Sequence, residues 1–179
     1  MKRLLALARL IDAVTDRFAA VAKWAILVAC AISTTNAVVR YSLNYSSNAF
    51  LEIQWYLFAI CVMFGAAQVL RVNEHVRVDI FYGMYPTRTK VVIDLLGLTL
   101  FLLPMTLFIA WATLPVLTKM FLSQEMSGNA GGLIRWPAML TIPLGMCLVA
   151  LQGVSEIIKR VGWLMHVHDM DTHYERPLQ

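Results

Sequence analysis

The chain has 179 residues, 59% of them hydrophobic and only 15% charged, with a formal net charge of +4. A composition this apolar and this sparsely charged excludes an ordinary soluble domain of that length. The small positive excess reports membrane topology and contact with anionic phospholipid; no nucleic-acid partner is expected.

Residues 2–19 place Leu4, Leu7, Ile11, Val14, Phe18 and Val21 at three- and four-residue steps, with Arg9, Asp12, Asp16 and Arg17 on other faces. That pattern predicts an amphipathic helix lying at the membrane interface, or packed on a partner's surface there. Four apolar runs follow, near 20–39, 50–70, 91–114 and 137–158. A hydrocarbon core of ~30 Å is crossed by ~20 helical residues, so each run is long enough to span. No stretch alternates as a barrel strand would. The expectation is an all-α membrane protein, a single membrane domain over 1–179, with four transmembrane helices after the interfacial one.

Span 1 carries Ala25, Ala29, Ser33 and Ala37 at strict four-residue spacing, a small-residue stripe that lets another helix approach closely. Span 2 opens at Ser47 or Asn48 as a cap, with Glu52 about a turn later, where the helix dipole favours an anion. Arg40 is a candidate partner for it. Span 3 has Asp94 at one end and Pro104 in the middle, a predicted kink. Span 4 contains Pro143 and ends with Glu156, Lys159 and Arg160, and these ends are read as snorkelling surface ion pairs. Cys30, Cys61 and Cys147 fall inside apolar runs without a pairing pattern and are read as core residues. The segment 116–135 holds Lys119, Glu125, Arg135 and three glycines (Gly128, Gly131, Gly132), which predicts irregular, adaptable backbone.

Basic residues set the orientation. Twelve lie before span 1, between spans 2 and 3, or after span 4; three lie in the two remaining loops. Positive charge stays on the cytoplasmic side, so both termini and the 2–3 loop are expected there, with residues 164–179 as a cytoplasmic tail. Trp24 and Trp163 at inner ends, and Trp55, Trp111 and Trp136 at outer ends, suit aromatic belts.

Chemistry finds little to stand on. All four histidines, His75, His166, His168 and His173, lie outside the spans, which argues against haem held within the membrane. No phosphate-binding loop, dinucleotide fingerprint or nucleophilic triad is present, so no enzyme is expected. The run "HVHDMDTH" in the tail is a weak metal candidate. No deep charge, internal repeat or broken pair of short helices marks a solitary transporter.

The octet "VNEHVRVD", residues 72–79, interrupts the apolar sequence between spans 2 and 3. With its surroundings it resembles the small membrane (Q) subunit of tripartite ATP-independent periplasmic (TRAP) transporters. The resemblance rests on Arg40-Tyr41 with Asn44 after span 1, Glu52 with Trp55 opening span 2, and Gly65-Ala66 later in it. His75, Arg77 and Asp79 follow span 2, and Pro143-Leu144-Gly145 lies in span 4. Where the family often has two adjacent acids, Glu52 is followed here by Ile53. The resemblance implies a non-catalytic small permease subunit in a bacterial inner membrane. It implies a large multi-span partner that imports organic acid anions with sodium, and a periplasmic substrate-binding protein received partly by the loop with Lys119, Glu125 and Arg135. No cofactor is implied, and sodium coupling is expected in the large subunit. The other reading kept open is a four-helix membrane anchor of a redox enzyme.

Overall fold

The computed structural model describes residues 1–45, 47–73 and 84–169. His75, Arg77 and Asp79 lie outside the described residues, as do His173 and the rest of the tail from 170 onward.

The helices are α1 (Lys2–Leu43), α2 (Asn48–Arg71), α3 (Thr87–Gly97), α4 (Leu103–Ser123) and α5 (Trp136–Leu164), with a π turn at Leu98–Leu102 joining α3 to α4. Four helical stretches are long and apolar enough to cross a membrane: α1, α2, the bent α3–α4 helix and α5. They run up and down as a bundle. Both ends of the described chain meet, with Met1 and Leu5 against the Gly162 turn of α5. That is the termini end; the α1–α2 and α4–α5 connections form the loop end.

The expected interfacial helix and span 1 are one continuous helix, with no break near residue 20. Its first turns do not turn away from the bundle, because their small and polar side chains have a place to pack. Ala8, Thr15, Ala19, Ala22, Ala25 and Ala29 are buried, while Leu4, Leu7 and Val21 of the predicted apolar stripe are about half exposed. Ala25 and Ala29 of the four-residue stripe are therefore used inside the chain, and Ser33 and Ala37 remain exposed. The stripe's loop-end half alone is free for a second helix.

Helix ends follow local chemistry. Asn44 stops α1 in the left-handed region at φ 49°, a conformation Asn tolerates better than most side chains. Ser47 caps α2, accepting from the Ala49 N–H at 3.3 Å. Asn73, from the octet, closes the other end of α2 with φ 61° and an N–H donated to the Leu70 carbonyl at 3.3 Å. The predicted kink at Pro104 takes the form of the π turn just before it. Proline has no N–H to continue the ladder, and Leu103 reaches back five residues to the Leu98 carbonyl.

α5 is the most deeply packed span, against α1, α2 and the α3–α4 helix. Its glycines sit at the crossings. A Cβ on Gly145 would come within 2.6 Å of the Met63 Cβ and 2.8 Å of the Met63 carbonyl on α2. Without that side chain the two backbones approach closely, which is how helices associate where lipid is as apolar as they are. Gly65 is looser, since an added Cβ would meet the Ala22 Cβ at 3.9 Å. Phe18 of α1 and Phe64 of α2 meet edge to face at 5.0 Å. The cysteines are not core residues as expected: Cys30 and Cys147 are exposed and Cys61 half-buried.

Substitution Gly145→Val should push α2 from α5 and cost about 1–3 kcal/mol by overpacking, read as a lowered melting temperature in detergent. Gly65→Ala should leave the melting temperature nearly unchanged. Equal effects of the two would contradict the assigned crossing.

Candidate functional site

Two polar clusters close the bundle, one at each end, and together they hold most of its engaged charge.

At the loop end the centre is Glu52, only 2% exposed. Its carboxylate accepts from the Asn129 amide at 2.8 Å, from the Leu133 N–H at 2.6 Å, and from the Ser127 hydroxyl. The donors come from the α4–α5 loop, so Arg40 is not the partner that the sequence suggested. Nor is this loop irregular. α4 continues to Ser123, which puts Lys119 on a helix. Beyond it the chain folds back as a short hairpin, with Ser127 N–H to the Leu133 carbonyl at 2.9 Å and Arg135 N–H to the Glu125 carbonyl at 3.0 Å. Met126 and Ile134 pair as a β-bridge, and the Arg135 and Glu125 side chains form an ion pair at 2.6 Å. α2 holds the hairpin at two further points: Asn48 donates to the Ala130 carbonyl at 3.0 Å and Tyr56 to the Ile134 carbonyl at 2.6 Å.

The loop glycines have specific uses. Gly131 turns with φ 71°, where L side chains are strained. At Gly132 a Cβ would lie 2.6 Å from the Ser127 Cβ and 3.0 Å from Glu52 Oε1. The hairpin can wrap a carboxylate because that position has no side chain.

The termini-end cluster joins α1, α3 and α5. Thr15 donates to Gln152 Oε1 at 2.7 Å, and the Gln152 amide donates to Asp12 Oδ1 at 3.0 Å and Glu156 Oε1 at 3.2 Å. Ser155 reaches Asp12 Oδ1 at 2.8 Å. Lys159 bridges Asp12 Oδ2 at 2.8 Å and Glu156 Oε1 at 2.9 Å. Arg160 pairs with Glu156 at 2.6 Å and with Asp94 of α3 at 3.3 Å. Arg71 of α2 joins the rim through Asp16 and through the Asp12 carbonyl. These are not surface pairs as expected, since Gln152 and Ser155 are wholly buried and Glu156 and Arg160 nearly so. The sequence did carry a signal. Gln152, Ser155, Glu156 and Lys159 follow i, i+3, i+4, i+7, one polar stripe at the end of an apolar span. It pointed inward, and its partners on α1 lay about 140 residues away in sequence, beyond any local pattern.

The other predicted positions are dispersed. Arg40 and Tyr41 are exposed at the loop end of α1, and Trp55 is exposed beside the Glu52 cluster. Gly65, Pro143 and Gly145 serve helix packing. Among the described residues, no group of three or more His, Cys, Asp or Glu is placed to hold a metal ion.

An all-helical membrane subunit, with polar groups gathered at its two ends, is what the architecture defines. The family model for the DctQ component of tripartite ATP-independent periplasmic transporters matches residues 28–162, and the chain belongs to that family. It is thus a TRAP transporter small permease subunit and not an enzyme. The family works with a large DctM subunit and a periplasmic binding protein. The redox-anchor reading finds no support in this membership. Comparison with curated proteins and with solved structures returned no match.

Replacing Glu52 with Gln turns one acceptor oxygen into a donor that faces other donors. Hydrogen exchange at the Leu133 amide should rise by tenfold or more, and the melting temperature should fall. At the other end, Asp12→Ala leaves Lys159 partly buried beside Glu156 alone and should destabilise by roughly 3 kcal/mol. In the Lys159→Met background the same change should cost markedly less, as a double-mutant cycle would read.

Proposed function

We propose that this chain is the rigid small subunit of a sodium-coupled importer of organic acid anions. In that role it steadies the large transport subunit within a bacterial inner membrane, with the termini end cytoplasmic, and presents its loop end to the substrate-binding protein. The observation that carries the scaffold reading is the distribution of charge. Between the two end clusters, α2 and α5 hold no Asp, Glu, Lys or Arg, α4 holds only Lys119 in its last two turns, and α1 holds Lys23 beyond Arg17. A path for sodium and a carboxylate needs polar or charged ligands at membrane depth. This bundle offers close packing there instead.

The reading of the loop end as a docking surface is supported by its preorganisation. The hairpin is tied to α2 by Glu52, Asn48 and Tyr56, so a partner meets a formed surface and little ordering entropy is lost on contact. Lys119, Glu125 and Arg135 border that surface. The cytoplasmic placement of the termini is supported by the excess of Lys and Arg at that end.

Reconstitution tests the assignment. Proteoliposomes with this chain alone should take up no organic acid. With its large subunit and binding protein they should take it up under an inward sodium gradient and stop when potassium replaces sodium. Uptake by the chain alone would overturn the scaffold role, and uptake indifferent to sodium would overturn the coupling. Lys119→Glu should lower uptake severalfold at limiting binding protein without changing the yield of the membrane complex; unchanged uptake would remove this residue from the docking surface.

A further inference from the structure

The charges of α1 divide by use. Its only acids, Asp12 and Asp16, are engaged within the chain: Asp12 by Lys159, Gln152 and Ser155, and Asp16 by Arg71. Its bases in the same stretch are not. Lys2, Arg3, Arg9, Arg17 and Lys23 are all exposed, and none of these side chains has a hydrogen bond or ion pair among the described residues. At about 100° per residue they occupy roughly 160° of the helix surface, opposite the buried Ala8, Thr15, Ala19 and Ala22.

Arg71 ends the apolar run of α2, so its pair with Asp16 puts the neighbouring Arg17 at the edge of the apolar layer. Arg9, Ala13, Arg17, Ala20 and Trp24 follow one another at steps of four, four, three and four, a single outward ridge. Ala13 and Ala20 are exposed and small, and they leave Arg17 open along the ridge in both directions. Past Arg17 the exposed side chains are Trp24 at 67%, then Leu27 at 59% and Val28 at 41%. Base, then indole, then aliphatic is the order of a lipid leaflet, from phosphate through the interface to the acyl chains. Lys23 lies six residues beyond Arg17, roughly 9 Å deeper. Helical side chains leave the axis toward the N-terminus, so its ammonium snorkels back toward the level of Arg17.

We propose that this ridge of α1 is a binding site for an anionic phospholipid, whose phosphate Arg17 holds with Arg9 and Lys23 to either side and whose acyl chains lie along Leu27 and Val28. A guanidinium meets a phosphate with two parallel N–H donors. Three unanswered bases favour a headgroup with net negative charge over a zwitterionic one. A helix of the large subunit fits less well, since it would need acids of its own at two levels and gains nothing from the order of base, indole and aliphatic side chain. The site uses only the level of the bilayer and holds whichever end of the bundle faces the cytoplasm.

Lipid counting tests it. The full chain in mild detergent is titrated with phosphatidylglycerol or with zwitterionic phosphatidylcholine, and bound lipids are counted by native mass spectrometry. The wild type should bind the first phosphatidylglycerol at least tenfold more tightly than phosphatidylcholine. Arg9→Gln/Arg17→Gln should erase that preference, and Arg9→Lys/Arg17→Lys should keep most of it. Lys2→Gln/Arg3→Gln, about 20 Å from Arg17 along the helix, should keep it as well. All three variants should melt as the wild type does, because the altered side chains are exposed and unpaired. Equal binding of the two lipids by the wild type, or a preference that Arg9→Gln/Arg17→Gln retains, would overturn the proposal. In complex with the large subunit the preference should persist. A complex that has lost it, and that Arg9→Gln/Arg17→Gln no longer forms, would make the ridge a subunit contact and equally overturn the proposal.

Discussion

Polar groups within a bilayer are costly unless they are paired inside the protein, and this bundle gathers most of its engaged charges into two layers. Glu52 and Arg71 mark those layers on α2, 19 residues apart, which at 1.5 Å per residue is roughly 28 Å and matches a hydrocarbon core of about 30 Å. Everything between them is free to be apolar. Each layer also does something that apolar packing cannot. Hydrophobic side chains slide past one another at small cost, whereas a carboxylate with three fixed donors sets one register. Glu52 locks the α4–α5 loop to α2, and the Asp12–Lys159–Glu156–Arg160 chain locks α1 and α3 to α5.

The long first helix depends on the second of these layers. Residues 2–19 have enough apolar surface to lie at an interface, yet they continue α1 in line. Ala8 and Thr15 leave room for α5, and Asp12 gives Lys159, Gln152 and Ser155 a common acceptor. α5 is then the axis of the assembly. Its polar stripe meets α1 at one end, Gly145 admits the α2 backbone midway, and Gly153 faces Leu102 of the π turn, where an added Cβ would come within 2.8 Å of the leucine. A helix that contacts every other span must be thin where it crosses them, which is why its glycines fall at those points.

In the role proposed for this subunit, steadying a larger partner, a bundle locked at both ends is the useful property. A moving partner needs a fixed neighbour, and a soluble protein needs a surface that is already shaped. The hairpin at the loop end meets the second need because its backbone hydrogen bonds are made internally and its one buried charge is neutralised by donors rather than by a mobile base. The third span is the least covered of the four, a bent helix with Phe101, Met105 and Phe108 largely exposed.

Much of this was written in local pattern. Four runs of spanning length, Ser47 before α2 and the proline near the middle of the third span could all be read along the sequence, because each acts through its own helix or turn. Family membership was legible for the same reason: short motifs kept their order relative to the spans. What tertiary structure decided was pairing. Glu52 could not be matched to Ser127, Asn129 and Leu133 from its neighbourhood, and Arg40, close in sequence, was the wrong partner. The stripe of Gln152, Ser155, Glu156 and Lys159 was visible as a face, but only the fold placed Asp12 against it and turned expected surface charges into a buried network. The three loop glycines suggested freedom and instead allow a tight wrap around a carboxylate. The positions of the four spans and the Ser47 cap depend on residues close in sequence, so sequence alone determined them. The partner of a buried charge depends on which distant helix arrives beside it, and that was settled only when the bundle closed.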